Sequence, residues 1–115
     1  MEIKLFKGNE GKTRKISQTY SVTNFLTHGD SANISLAVSN AEKHSETTSN
    51  LKSDRAYFVL DGLLSIEKDG KKFLAGPGDV LFVQKNTEYT FSGTFRAVLV
   101  NSPAFDPSAE RIRRM

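Results

Sequence analysis

Residues 56–91 form a ladder of short apolar runs separated by turn residues, and this pattern constrains the fold more than any other feature. The runs AYFVL and LLSI meet at Asp61-Gly62, and KKFLA follows Lys68-Asp69-Gly70. Asp-Gly favours two-residue hairpins because it tolerates positive φ. VLFV follows a further turn at Gly76-Pro77-Gly78-Asp79. No window of the ladder sustains the 3.6-residue period of a helix, so the pattern predicts an all-β antiparallel barrel or sandwich.

The chain of 115 residues is predicted to form a single domain, 1–115, because this length supports one hydrophobic core. We expect N-terminal strands within 1–31, the core at about 32–103, and a tail or short helix at 104–115. Asp106-Pro107 is typical of a helix N-cap followed by Pro at the first helical position.

Strands outside the ladder are predicted from alternation and apolar content. They are expected at residues 2–6 (EIKLF), around Tyr20-Ser21-Val22 within 14–26, and at 34–38 (ISLAV). Residues 42–54 are polar and are predicted to form a long loop, of the kind that often serves as a lid.

The ladder resembles the cupin superfamily of small β-barrels, which hold a ligand or metal in one open mouth. Gly62 fits the closing glycine of the first cupin motif within the string YFVLDG, and Gly78-Asp79 fits the opening of the second. The resemblance covers about residues 32–103. It implies an antiparallel double-stranded β-helix, or jelly-roll barrel, in which the loop at 42–54 borders the pocket.

The resemblance places unsuitable residues at the metal-ligand positions of the family. The motif glutamate falls on Arg55, and the second-motif histidine falls on Tyr89. The two first-motif histidines fall on Thr48 and Asn50, or on Ser49 and Leu51 with the shorter spacer. Arg stays protonated and repels a cation. We therefore expect no metal and no cofactor.

Two histidines leave an alternative open. His44 and Glu46 imitate a displaced His-x-His pair, with Glu88 as a third ligand, although a histidine in a polar surface loop without a special role is the simpler interpretation. His28 lies in the turn THGDS and is expected to be exposed.

The resemblance, together with the alternation of side chains between the two faces of a strand, predicts a candidate pocket. If the motif positions Arg55 and Tyr89 face inward, as in the family, alternation brings in Tyr57, Val59 and Phe91. The predicted ligand-binding residues are Asn50, Arg55, Tyr57, Tyr89 and Phe91. The alternative is that the tyrosines only fill the core and that Arg55 pairs at the surface with Asp54 or Glu88.

A guanidinium between two phenols suits an anionic or sugar-like small molecule, because Arg offers forked donors and aromatic rings stack on a ligand ring. We therefore predict a small-molecule-binding protein. The alternative is a metal-independent isomerase or epimerase of a sugar-like or carboxylated substrate, with Tyr89 as the best catalytic candidate and no evident base. A metal-dependent enzyme with rearranged ligands is the third possibility.

Composition restricts partners and location. The net charge of +3 is matched by Arg111, Arg113 and Arg114 near the C-terminus, and no basic face interleaved with aromatics is evident, so no nucleic-acid partner is expected. No apolar stretch has the length of a membrane span or of a signal-peptide core, so we expect no membrane partner and a cytoplasmic location. The chain has no cysteine, which excludes disulfides and thiolate chemistry.

A homodimer is expected, because cupins often pair through a sheet face or an exchanged N-terminal strand. Phe6, Phe58 and Phe95 are predicted to lie on the outer face.

Overall fold

The structure, a computed structural model, describes residues 2–114. Within that range the chain forms eight strands and two short 3-10 helices, at Gly8–Glu10 and Pro107–Ala109. The strands are β1 (Lys12–Ser17), β2 (Tyr20–Leu26), β3 (Ser35–Asn50), β4 (Asp54–Lys68), β5 (Lys71–Ala75), β6 (Val80–Val83), β7 (Tyr89–Ser102) and β8 (Glu110–Arg114).

All pairings are antiparallel, in the order β1-β2-β3-β7-β4-β5, with β6 added to β4 and β8 added to β3. The three long strands β3, β7 and β4 each run through both halves of a barrel. In one half they are flanked by β2 and β6, and in the other by β8 and β5. The two halves face each other across a core, as expected for the jelly-roll barrel of a cupin.

The long strands bend where their pairing register shifts, between Ala41 and His44 in β3 and between Val59 and Asp61 in β4. Gly62 follows the second bulge with φ +79, and a Cβ there would lie 2.1 Å from the carbonyl oxygen of Thr94. Only glycine fits this close approach, which explains the glycine of the YFVLDG string.

The turns predicted within the ladder are confirmed. β4 and β5 form a two-residue hairpin in which Lys68 pairs with Lys71, while Asp69 and Gly70 have φ of 52 and 77. Both central residues have positive φ, as a type I′ turn requires.

The first half of β4 alternates as predicted. Arg55, Tyr57 and Val59 are buried, whereas Phe58 is 42% exposed on the outer face. The core contains apolar side chains from both halves of the barrel, among them Tyr57, Val59, Leu64, Phe91 and Phe95.

Three expectations about local structure are wrong. Residues 2–6 form no strand. Residues 42–50 continue β3 and are not a loop, because polar side chains there alternate inward and pair in the sheet. Residues 107–109 form a 3-10 turn with Asp106 as its N-cap and Pro107 at its first position, as predicted, but residues 110–114 then form β8 where only a tail or short helix was expected.

Phe95 was expected on the outer face but lies in the core at 4% exposure, with its ring 6.3 Å from that of Phe91. Phe6 is half-buried. Among the described residues there is no helix of the length and hydropathy needed to span a membrane. The cytoplasmic location stays a prediction.

Candidate functional site

A cavity of about 300 Å³ opens at one end of the barrel. The exposed side chains of Arg14 and His28 mark its mouth, and the buried side chains of Arg55, Tyr57 and Phe91 line its floor. Apolar residues form the walls, among them Ile16, Val22, Leu26, Leu99 and Phe105.

All three nitrogens of the Arg55 guanidinium donate hydrogen bonds. Its Nε donates to Asn101 Oδ1 at 2.7 Å, and its Nη1 donates to the Tyr89 hydroxyl at 3.1 Å. Nη2 and Nη1 form a fork on Glu110, at 2.8 Å to Oε1 and 3.2 Å to Oε2. The side chain is 5% exposed, and a buried charge of this kind is tolerated only with such pairing.

Glu110 is held from a second side by strand β3. Thr48 Oγ1 donates to one carboxylate oxygen at 2.7 Å, and Asn50 Nδ2 donates to the other at 2.8 Å. Burial alone would raise the pKa of Glu110, but the hydrogen bonds and positive charge of Arg55 outweigh it and lower that pKa below its ordinary value. Glu110 therefore remains a carboxylate at neutral pH.

Two phenols share a short hydrogen bond beside this ion pair, because the hydroxyls of Tyr57 and Tyr89 lie 2.6 Å apart. Burial raises the pKa of both tyrosines above the ordinary value, and the nearby Arg55 only partly opposes it. Desolvation thus overrides the preference for phenolate that the neighbouring cation Arg55 creates. Both groups are protonated at neutral pH.

A second polar group on the floor comes from the half of β3 that was predicted to be a loop. Glu46 lines the cavity, and its Oε1 lies 3.1 Å from His44 Nε2. The other ring nitrogen of His44 lies 2.7 Å from Thr19 Oγ1, and the ring stacks on Tyr20 at 4.8 Å. This arrangement holds the imidazole in one orientation behind the carboxylate.

The structure places the five predicted ligand-binding residues close together but at different depths. Arg55, Tyr57 and Phe91 line the cavity. Tyr89 and Asn50 are buried behind that lining, where they bond Arg55 and Glu110. The binding role of all five, and the catalytic role of Tyr89, stay predictions.

The alternative prediction, that Arg55 pairs at the surface with Asp54 or Glu88, is wrong. Asp54 accepts a hydrogen bond from the backbone of Lys85, and Glu88 pairs with Arg113. Sequence reasoning missed Glu110 and Asn101, which lie 55 and 46 residues from Arg55 in the chain. It also missed Glu46 as a lining residue, because residues 44–50 are polar at every position and show no apolar–polar alternation that would indicate a strand.

The residues at the cupin metal positions do not fit a metal ion. Arg55 stands in the carboxylate position and is itself bound to a carboxylate. His44, Glu46 and Glu88 are not brought together, since Glu88 is on the surface. Among residues 2–114 there is no cluster of three or more His, Cys, Asp or Glu side chains able to hold a metal.

An antiparallel jelly-roll barrel with a cavity at one end defines a cupin-type protein. Residues 1–104 match the family described as ethanolamine utilisation protein EutQ. The chain therefore belongs to the EutQ family. No match was found among curated proteins.

Several solved structures share the fold. A variant of Pac13 from Streptomyces, solved with uridine, superposes with a TM-score of 0.85 at 22% identity, covering 100% of this chain and 93% of the other. Pac13 is described as a unique nucleoside dehydratase. KdgF from Halomonas sp. gives a TM-score of 0.78 at 14% identity, covering 91% and 97%. A putative EutQ from Salmonella typhimurium gives 0.75 at 22% identity, covering 90% and 88%. At these identities the likeness establishes the fold alone.

Proposed function

We propose that this chain binds a small polyhydroxylated molecule, sugar-like or nucleoside-like, in the barrel cavity. The observation that carries the proposal is the cavity itself, a hollow of about 300 Å³ with apolar walls and a floor of fixed polar groups. This volume is at the small end of the range for ligand sites, and the combination of apolar walls with a few oriented polar groups is typical of them.

The floor favours hydroxyl groups over a strong anion. Arg55 has its fork occupied by Glu110, so a carboxylate or phosphate arriving at the floor would have to displace a residue of the protein. Glu46 and Glu110, which both line the cavity, are acceptors suited to ligand hydroxyls. The rings of Tyr57 and Phe91 offer apolar faces to a sugar or a planar ring.

The Pac13 complex supports a nucleoside as the first ligand to examine. Uridine joins a polyhydroxylated ribose to a flat ring, and a Pac13 variant, a protein of the same fold, was solved with it. Ethanolamine is a second compound to examine, because the description of the family refers to its utilisation.

Calorimetric titration with uridine, simple sugars, small carboxylates and ethanolamine tests the proposal. We expect at least one hydroxylated compound to bind and to raise the melting temperature by mass action. Glu46→Gln should weaken that binding, whereas Glu67→Gln, the same change on an exposed outer position of β4, should leave it unchanged. If no compound of the set binds, the proposal is wrong.

A second candidate function is metal-independent acid–base catalysis, such as isomerisation or epimerisation. It is favoured by the pair of Glu46 and His44, which places a carboxylate on the floor with an oriented imidazole behind it. Tyr57, protonated and on the same floor, is the matching proton donor. A base positioned in this way typically contributes about 10²–10⁴-fold to a rate.

Incubating the wild-type protein with a bound ligand in D₂O tests this candidate. Abstraction of a carbon-bound proton would exchange it for deuterium, which NMR of the recovered ligand detects. Glu46→Gln should abolish the exchange, and Glu67→Gln should not. Binding without any exchange would leave the protein a binding module.

A further inference from the structure

The charged side chains that line the cavity differ in whether another group of the protein pairs with them. On the floor, Arg55 and Glu110 neutralise each other, and Glu46 is hydrogen-bonded to His44. At the mouth, Arg14 is exposed and makes no ion pair or side-chain hydrogen bond within the part of the chain that the structure describes. The cationic charge available to a ligand is therefore at the rim.

The position of Arg14 follows from the register of the outermost strand. Arg14 pairs with Val22 of β2, and both residues line the cavity. Because side chains alternate along a strand, Lys12 is on the same face as Arg14. Lys12 pairs with Asn24, another lining residue, but Lys12 itself does not line the cavity, which leaves Arg14 as the cation of β1 at the mouth.

We infer that the ligand carries an anionic group, a phosphate or a carboxylate, that binds Arg14 at the mouth while its hydroxylated part occupies the floor. This inference rests on the function proposed above and adds that the ligand is negatively charged. An arginine fork matches the oxygens of either anion and can bind two of them at once. The exposed guanidinium of Arg14 can bind such an anion, whereas the guanidinium of Arg55 is already bound to Glu110.

A competing explanation is that the cations of β1 protect an edge strand. β1 ends the sheet order, and lysines and arginines on edge strands discourage pairing with other chains. That role needs only charge on the strand and is served equally by Lys15 on the opposite face. It predicts no difference between neutral and anionic ligands.

Matched probes distinguish these explanations. Calorimetric titration would compare uridine with uridine monophosphate, and glucose with glucose phosphate and with glucuronate. At low ionic strength we expect the wild-type protein to bind an anionic member about fivefold more tightly than its neutral counterpart, as for a partly exposed ion pair. The advantage should shrink in high salt because the site is open to solvent. Comparison of the phosphate with glucuronate identifies which anion is preferred.

Arg14→Gln should remove the advantage of the anionic member, so that the anionic and neutral members bind this variant about equally. Lys15→Gln removes the same charge from the same strand and should preserve the advantage. If the neutral member binds as tightly as the anionic ones, or if the advantage survives in Arg14→Gln, the inference is wrong while the proposed function stands. If no member of either set binds, both are wrong.

Discussion

At the scale of single residues, the main finding concerns Arg55. The cupin resemblance places it where the family has a metal-binding carboxylate, and in the structure Arg55 is itself paired with a carboxylate, that of Glu110. Arg55, at a position where the resembled family has a metal ligand, thus takes part in an ion pair within the protein. The pair is nearly excluded from water, so its energetics are those of buried charges.

Arg55→Ala is expected to act on stability first, and not on ligand binding alone. Removing one partner leaves Glu110 buried without its cation, which typically costs about 3–5 kcal/mol of unfolding free energy. Arg55→Ala combined with Glu110→Ala should be markedly less destabilising than the sum of the two single changes. Chemical denaturation of the four proteins measures this coupling.

Acidification provides the control for this coupling. Because the folded-state pKa of Glu110 is lowered, its contribution is present above the ordinary value of 4.5 and is lost as the pH falls through the folded-state pKa. The coupling should therefore persist at neutral pH and vanish in acid. Additive single and double variants at neutral pH would contradict the prediction.

At the scale of strands, the bends decide where each side chain points. The bulge before Gly62 turns β4 from one half of the barrel into the other, and this glycine passes against the backbone at Thr94. A residue with a Cβ would force the two strands apart and displace the segment that carries Arg55 and Tyr57.

Gly62→Ala and Gly70→Ala separate backbone strain from steric contact. Both glycines have nearly the same φ, +79 and +77, but a Cβ at Gly70 meets nothing within 4 Å. Both alanines suffer the strain of positive φ, about 1–2 kcal/mol. Gly62→Ala should cost about 1–3 kcal/mol more because of the overlap with Thr94. Equal losses in thermal or chemical unfolding would refute this account.

Strands with a local sequence pattern could be predicted, whereas strands defined by distant pairing could not. The strands of residues 56–91 could be predicted because their apolar runs and Asp-Gly turns are local sequence patterns. Gly62 was identified within the same segment. The polar half of β3 was not recognised, because its inward side chains are His44, Glu46, Thr48 and Asn50 where a core strand normally has apolar residues. β8 was not recognised either, because it is defined by pairing with β3 some 60 residues earlier and not by its own pattern.

At the scale of the whole molecule, one outer face of the barrel is apolar over adjacent strands. Val80, Phe58 and Val98 pair across β6, β4 and β7, and the next row contains Phe82, Ala56 and Val100. Phe82 is 64% exposed and Val80 is 62% exposed. No charged side chain interrupts these two rows. A contiguous apolar face of this kind is typical of an interaction surface.

A second copy of the chain is the occupant we predict for this face. A twofold pairing places the same uncharged rows against each other, so the surface needs no other partner to be covered. Light scattering at micromolar concentration should give the mass of a dimer, and Phe82→Lys should give a monomer. Phe73→Lys, on β5 in the other half of the barrel, should leave the mass unchanged. A wild-type monomer would exclude the homodimer.

The ion pair beneath the cavity has a further consequence for synthesis of the chain. Arg55 leaves the ribosome 55 residues before Glu110. At translation rates of about 5–20 residues per second, roughly 3–11 seconds separate the two. During that interval the guanidinium remains hydrated, because burying it without its carboxylate is costly. A nascent chain can therefore form the hairpins of the ladder early, but it closes the floor of its cavity only after residue 110 has been made.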